Sequence, residues 1–348
     1  MNVLIEDLRA GAELSEHQIK AAADLLLDFD ANDQLKQNLL EALAQKGETP
    51  AEIAGFVEAF LEHAVDPDFG LLNLDGPTLD VCGTGGDKLD LFNVSTTSMF
   101  VAAAAGAVVV KHGNRGITSK SGGADVLEAL GVKIDLDTEG FRSCLEKAGV
   151  GFMFAPMYHP AFKAVVGVRK ALAQKGQRTI FNLVGPLLNP VRPDCQLVGV
   201  FAKEYCMTFA DILQRLGRRS AWVVHGTTAE GSAVDEVSMM GSTHICKSSV
   251  GGEIFDQEIQ PKDFGLEECS KEDLKGGDAE ANAVILKDIL SGKEQGPKRD
   301  MVLMNAGAAL ACSGLADDIA DGIKKAAVAI DDGAAMEKLH LFREASQA

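Results

Sequence analysis

The stretch Asp80-Val81-Cys82-Gly83-Thr84-Gly85-Gly86-Asp87 follows directly on a short apolar run, residues 78–82, that reads as a β-strand. Glycines at the C-terminal end of a strand leave room for backbone N–H groups to close around anionic oxygens, where a side chain would block approach. No GK[ST] follows, so this is not a Walker loop, and the glycines lack the spacing of a dinucleotide fingerprint. A glycine-rich turn alone is weak evidence for a phosphate site; its neighbours strengthen it.

Working outward, residues 99–107 form a small-residue helix, 108–111 a second strand, 124–130 a helix, 141–147 another, and 151–154 a third strand. Alternation then pauses for a helical insert, 160–172, which ends near Gly185-Pro186. It resumes with a strand at 196–201, a helix at 207–216 and a strand at 221–225. Strands alternating with helices of this length imply right-handed crossovers and a mostly parallel sheet. Residues 240–275 read as hairpins, and 279–290, 302–312 and 318–330 as helices. The first seventy or so residues carry no strand signal. Ser15 with Gln18 and Thr49-Pro50-Ala51-Glu52 have capping-box spacing, and Lys46-Gly47 closes the helix between them.

The fold class expected is therefore α/β: a large domain with a mostly parallel central sheet flanked by helices, plus a smaller all-helical domain. The expected division is a helical domain over 1–75, with the 158–192 insert packing on it, and an α/β domain over 76–157 and 193–348.

Composition narrows the function. The 348 residues carry a formal charge of −18, which argues against a nucleic-acid partner, since neutralising phosphates needs a basic face. No apolar run approaches the roughly 20 residues of a membrane helix. The N-terminus lacks a basic-then-apolar signal pattern, so a cytoplasmic location is the expectation. Seven scattered cysteines with no CxxC pair read as buried, reduced thiols.

Within so acidic a chain, donors gather after successive strands. Asn93-Val94-Ser95-Thr96 stands where a helix begins, so hydroxyls and free N–H groups meet the positive end of its dipole. Lys111-His112-Gly113-Asn114-Arg115 ends the second strand, and Ser119-Lys120-Ser121-Gly122-Gly123 leads into the next helix. Asp235-Glu236, after the 221–225 strand, would be ordinary surface charge in isolation. Beside a polyphosphate site, adjacent carboxylates can hold Mg²⁺, a hard cation that takes carboxylate, water and phosphate oxygens.

These segments, with Lys46-Gly47-Glu48-Thr49, Arg169-Lys170, Arg178-Thr179-Ile180-Phe181-Asn182, Gly185-Pro186-Leu187-Leu188-Asn189-Pro190, Val224-His225-Gly226 and Gly276-Gly277-Asp278-Ala279, resemble the anthranilate phosphoribosyltransferase family, in order, over nearly the whole chain. The resemblance implies transfer of a 5-phosphoribosyl group from phosphoribosyl pyrophosphate (PRPP) to the amine of anthranilate, a step of tryptophan biosynthesis. It implies PRPP contacts from Gly83, Gly86, Asp87, Asn93, Val94, Ser95, Thr96, Lys111, His112, Gly113, Asn114, Arg115 and Ser119. It places anthranilate at Gly83, Asn114 and Arg169, with His112 lining that pocket too, and two Mg²⁺ ions on Ser95, Asp235 and Glu236. A homodimer through the helical domain is also implied. The expected transition state has oxocarbenium character, so no general acid or base is assigned.

The chain departs from the family pattern at four places. Leu91 stands where a threonine is usual, and Gly123 where serine or alanine is common. The stretches 173–177 and 227–234 are longer than usual. Two other readings stand beside this one: a pyrimidine nucleoside phosphorylase, which shares the architecture, and a divergent homologue that binds nucleic acid or nucleotide without turnover.

Overall fold

The computed structural model describes residues 1–86, 89–116 and 120–348. Four helices come first: α1 (Asn2–Arg9), α2 (Glu16–Leu27), α3 (Asp33–Lys46) and α4 (Pro50–Leu61). Both expected capping boxes form. The Ser15 N–H donates to Gln18 Oε1 at 2.9 Å, and the Thr49 N–H to Glu52 Oε2 at 2.9 Å. Buried Glu52 also accepts from the Leu14 N–H at 2.9 Å and from Lys46 Nζ at 2.6 Å. One carboxylate thus ties the approach to α2, the end of α3 and the start of α4 together.

The alternating part runs β1 (Thr78–Gly83), α5 (Val94–Ala104), β2 (Val108–Gly113), α6 (Gly123–Ala129), α7 (Thr138–Ala148) and β3 (Val150–Phe154). After β3 come α8 (Ala155–Tyr158) and then the insert, with a 3₁₀ segment at Pro160–Val165 and α9 (Val166–Gln174). Then come β4 (Cys195–Gly199), α10 (Glu204–Arg215), β5 (Ser220–Thr227), β6 (Ala233–Val234), β7 (Thr243–Ser248) and β8 (Phe255–Ile259). Four helices finish the chain: α11 (Ala279–Leu290), α12 (Pro297–Ser313), α13 (Ile319–Asp331) and α14 (Ala334–Gln347).

The strand order is β3-β2-β1-β4-β5-β7-β8, with β6 pairing β5. The pairings from β3 through β5 are parallel, and those of β6, β7 and β8 are antiparallel. The expected mostly parallel sheet therefore has an antiparallel edge, built by the hairpin β7–β8. Because the chain moves outward from β1 in one direction and from β4 in the other, their C-terminal ends flank a crevice, the usual ligand position in open α/β sheets.

Side chains alternate across the sheet. On one face Leu79, Val81, Leu197 and Val224 join a core with residues of α5, α12 and α14. On the other, Cys82, Val198, Val200 and Val223 pack with Phe56 and Phe60 of α4, Leu172 of α9 and Phe209 of α10. The insert meets α3 and α4 directly. Lys36 Nζ donates to Ala164 O at 2.8 Å, and Phe60 lies 5.3 Å from the rings of both Phe162 and Phe181.

Several boundaries differ from expectation. Helix α5 starts at Val94, as the Asn93–Thr96 pattern implies, so the helix read over 99–107 is longer at its N-terminus and Ser95 and Thr96 form its first turn. The 160–172 insert is broken, because Pro160 starts a 3₁₀ segment before α9 begins. Helix α14 is not among the expected elements; its apolar face Ala335, Leu339, Phe342 and Ala345 is buried, with Phe342 6.1 Å from the Phe100 ring. Six cysteines are buried and Cys269 is half-buried, all as free thiols.

Candidate active site

Three parallel strands end side by side, with Gly83 opposite Gly199 on β4 and Gly199 opposite Val224 on β5. The chain from β6 lays Asp235-Glu236 across these ends. A Cβ on Gly199 would lie 1.6 Å from the Asp235 carbonyl oxygen, and one on Gly83 would lie 2.8 Å from Asp235 Oδ2. A Cβ on Gly226 would come within 2.6 Å of the Glu236 carbonyl oxygen. Glycines at three strand ends therefore form the cradle that lets the two acids lie against the sheet edge.

The carboxylates meet the glycine loop and the start of α5. The Gly85 N–H donates to Asp235 Oδ2 at 2.8 Å, and the Ser95 N–H donates to Glu236 Oε1 at 3.2 Å. Glu236 thus sits at the N-terminus of α5, where the helix dipole favours an anion. Gly85 and Gly86 have φ of +68° and +112°, backbone that favours glycine and lets the loop turn its N–H groups inward.

Lys111 of β2 completes this pole. It is 4% exposed, its ammonium donates to the Val81 carbonyl, and it lies 3.2 Å from Ser95 Oγ. The donor set here is two carboxylates and a hydroxyl, all hard oxygen ligands, which fits Mg²⁺ and not a softer metal. Among the described residues no group of three or more His, Cys, Asp or Glu side chains could hold an ion without such help. A bound Mg²⁺ would need water or phosphate oxygens to fill its shell.

The remaining expected residues are distributed as follows. Asn93 is a junction: its Nδ2 donates to Ser121 O at 3.2 Å and its Oδ1 accepts from Asn282 Nδ2 at 2.8 Å. The Val94 N–H is taken by Phe92 O, and Thr96 is buried. Gly86 and Asn114 are exposed, and Asn114 Oδ1 accepts the Arg115 N–H at 2.8 Å. Gly113 packs where a Cβ would lie 2.7 Å from the Phe152 ring. The Arg115 guanidinium is committed to Asp125 and Glu128, with its Cζ 5.5 Å from the centre of the Phe154 ring. Asp87 and Ser119 lie outside the described residues.

A second cluster forms on the insert side. The Arg169 guanidinium lies over the Phe181 ring at 4.9 Å, half-buried, and desolvation lowers its pKa. Among the described residues no acid pairs with it. Phe162 links Phe181 to His159, at 5.5 and 5.2 Å between ring centres, and His159 meets His112 edge-on at 5.2 Å. Burial pushes the His112 pKa down to about 3 and the His159 pKa down to about 4, so both rings are neutral. His159 Nε2 is 2.8 Å from Leu188 O. His112 Nε2 and His159 Nδ1 are buried without a partner.

Sequence reading missed Gly199, Asn282, His159 and Phe181 as site residues. Phe181 lies inside a quoted motif, and Asn282 lies just after one. Gly199 and His159 become legible only once β4 and the insert are brought beside β1 and β2. The departures are also explained in part. Leu91 makes an antiparallel bridge with Lys275 and packs on the core. At Gly123 a Cβ would stand 2.9 Å from Thr96 Oγ1, so the glycine lets α6 approach α5 closely.

Comparison with known proteins gives this geometry its family. Residues 75–336 match the model of the glycosyl transferase family a/b domain, and residues 2–64 that of its helical bundle domain. The anthranilate phosphoribosyltransferase of Haloferax volcanii is 44% identical over 99% of this chain and 100% of its own. The chain belongs to the anthranilate phosphoribosyltransferase family. The crystal structure of that enzyme from Thermus thermophilus has a TM-score of 0.88 and 36% identity, covering 99% of both chains. The Saccharomyces cerevisiae enzyme in complex with PRPP and Mg has a TM-score of 0.85 and 27% identity, over 99% of this chain and 97% of that one. The family architecture, a helical bundle domain with a large α/β domain, is the one described above. No helix among the described residues is long and apolar enough to cross a membrane.

Proposed function

We propose that this chain transfers the 5-phosphoribosyl group of PRPP to the amine of anthranilate, releasing pyrophosphate, with Mg²⁺ held by Asp235, Glu236 and Ser95. The observation that carries the reading is the seating of both carboxylates on the Gly85 and Ser95 N–H groups, beside Lys111. The pyrophosphate moiety of bound PRPP would take those N–H groups, leaving the carboxylates to hold the metal. Two ions per subunit suit the high negative charge of the leaving pyrophosphate. Gly83, Gly86, Asp87, Asn93, Val94 and Thr96 line the phosphate side, with Lys111, His112, Gly113, Asn114, Arg115 and Ser119 closing it through their backbone or side chains.

When bound, Mg²⁺ supplies positive charge to the leaving pyrophosphate. Lys111 and the loop N–H groups add fixed charge and dipoles aimed at the same oxygens, which need no reorganisation as charge develops. Arg169 pairs the anthranilate carboxylate, a geometry that suits a planar guanidinium. Gly83 and Asn114 border the ring. The free nitrogens of His112 and His159 accept hydrogen bonds from the amine and orient its lone pair toward the ribose. Holding both substrates in line is itself a large part of the acceleration.

The 158–192 insert belongs with the 1–75 helical unit in this reading, supported by the Lys36–Ala164 bond and the Phe60–Phe162–Phe181 cluster. The α/β unit is then 76–157 and 193–348. Exposed Val3, Phe29 and Val166 on the helical side support a homodimer through that unit, to be read by light scattering. Seven free thiols support a cytoplasmic location.

The test of the reaction mixes the protein with PRPP, Mg²⁺ and anthranilate and follows anthranilate fluorescence. A PRPP-dependent loss is expected. No loss, with phosphate-dependent cleavage of thymidine or uridine instead, would assign a nucleoside phosphorylase; salt-sensitive DNA binding without PRPP affinity would assign a binding protein.

A further inference from the structure

We infer that Asp80 and Asn189 form a positioning pair, whose hydrogen bond sets the 185–189 segment that orients His112 and His159 in the acceptor pocket. This rests on the proposed transferase reading and deepens it, because neither residue lines the pocket itself.

Asp80 lies in the central strand β1 and is 0% exposed, with no Lys or Arg nitrogen within ion-pair distance among the described residues. A buried carboxyl without a direct ion pair is costly unless hydrogen bonds satisfy it. Here Asn189 Nδ2 donates to Asp80 Oδ2 at 2.9 Å, and the His112 N–H approaches Oδ1 at 3.4 Å. Asn189 is also 0% exposed. Its Nδ2 donates to Val110 O at 2.7 Å, and its Oδ1 accepts the Val191 N–H at 3.1 Å. Both amide hydrogens are thus used and the oxygen is engaged, and one side chain registers the segment against β1 and β2 together.

From the same segment, the backbone reaches both imidazoles. Leu188 O lies 2.8 Å from His159 Nε2, and the Gly185 backbone acts electrostatically on the His112 ring. Moving the segment would therefore rotate both rings and re-aim their two unpartnered nitrogens. The glycine loop and the carboxylate cradle are not attached to this segment by Asn189. Loss of the pair should act on the acceptor and spare PRPP.

The experiment measures KM for each substrate separately in Asn189→Ala and Asp80→Asn, alongside ¹⁵N shifts of the histidine rings. Asn189→Ala is expected to raise the anthranilate KM about tenfold or more and to leave the PRPP KM within about twofold. Both ring signals should shift. Asp80→Asn keeps the shape and an acceptor for Asn189, so its anthranilate KM should rise by no more than about threefold. Should Asn189→Ala not fold, Asn189→Ser, which keeps a hydroxyl for the Val191 N–H, carries the same expectation. The inference is overturned if both KM values move together, or if melting falls while the anthranilate KM and ring shifts stay put. If the wild type itself transfers nothing, the transferase reading fails, and the ring shifts alone then decide whether the pair orients the imidazoles.

Discussion

The two poles of the crevice are built in opposite ways. At the phosphate pole, Gly85 and Lys111 lie at or beside strand ends, Ser95 opens helix α5, and Asp235-Glu236 directly follow β6. At the acceptor pole, His112, His159, Phe162, Arg169 and Phe181 come from separate segments and meet only in the folded chain. The phosphate pole is polar and satisfied by its own carboxylates; the acceptor pole is aromatic and keeps two nitrogens unpartnered. Polyphosphate recognition can be written locally, because helix N-termini and glycine loops are local structures. Recognition of a small aromatic acid needs walls from several directions.

The largest expected effect breaks the phosphate pole. Asp235→Asn with Glu236→Gln should lower kcat/KM by about a thousandfold, roughly 4 kcal/mol of lost transition-state stabilisation. Melting should change by only about 3 °C or less, since both side chains remain able to accept the loop N–H groups. Equal losses in activity and melting would make the acids structural.

Next comes the acceptor pole. Arg169→Met should raise the anthranilate KM by about ten- to a hundredfold, because a methionine keeps the contact with Phe181 and loses the carboxylate partner. The PRPP KM should stay within about twofold. A matching rise in both constants would mean that the poles are not separable.

The buried imidazoles predict a pH dependence that the phosphate pole does not share. Their folded pKa values, about 3 and about 4, lie below the ordinary value of 6.5. The folded state therefore binds fewer protons, and their stabilising contribution is present above pH 6.5 and lost as pH falls toward 4. Asp80 acts in the opposite sense, because burial raises its carboxyl from 3.8 to about 6. His159→Gln should flatten the fall in stability between pH 6.5 and 4.5 by up to about 1.4 kcal/mol per pH unit. Denaturant melts at several pH values check it; an unchanged slope would contradict a buried neutral His159.

The smallest effect sharpens the boundary between α5 and α6. Gly123→Ser adds a Cβ only 2.9 Å from Thr96 Oγ1, so the helices must part slightly beside Lys111. We expect the PRPP KM to rise about two- to fivefold with the anthranilate KM unaltered. A tenfold effect on both would show that α6 positions the acceptor too.

The same contrast explains what was legible in the sequence. The Gly83–Gly86 loop, the Ser95-Thr96 helix start, Lys111 and the Asp235-Glu236 pair could be read locally. So could both capping boxes, since each is a pattern over four residues. His159 could not, because its meaning depends on a ring 47 positions earlier in the chain, His112. Gly199 gave no signal either, as its role is the absence of a Cβ under a carbonyl from another segment. Arg115 looked like a second phosphate cation, yet its guanidinium is engaged by acids of α6 that sequence spacing does not bring to mind. Helix α14 does carry a periodic apolar face, Ala335, Leu339, Phe342 and Ala345, which packs against α5 and α7, so sequence reading missed a signal that is present.

The most direct measurement of the central claim follows anthranilate consumed and pyrophosphate released in one reaction, with Mg²⁺ and then with chelator. One pyrophosphate is expected for each anthranilate, and neither without Mg²⁺ and PRPP together. Anthranilate loss without pyrophosphate, or release that ignores Mg²⁺, would contradict it.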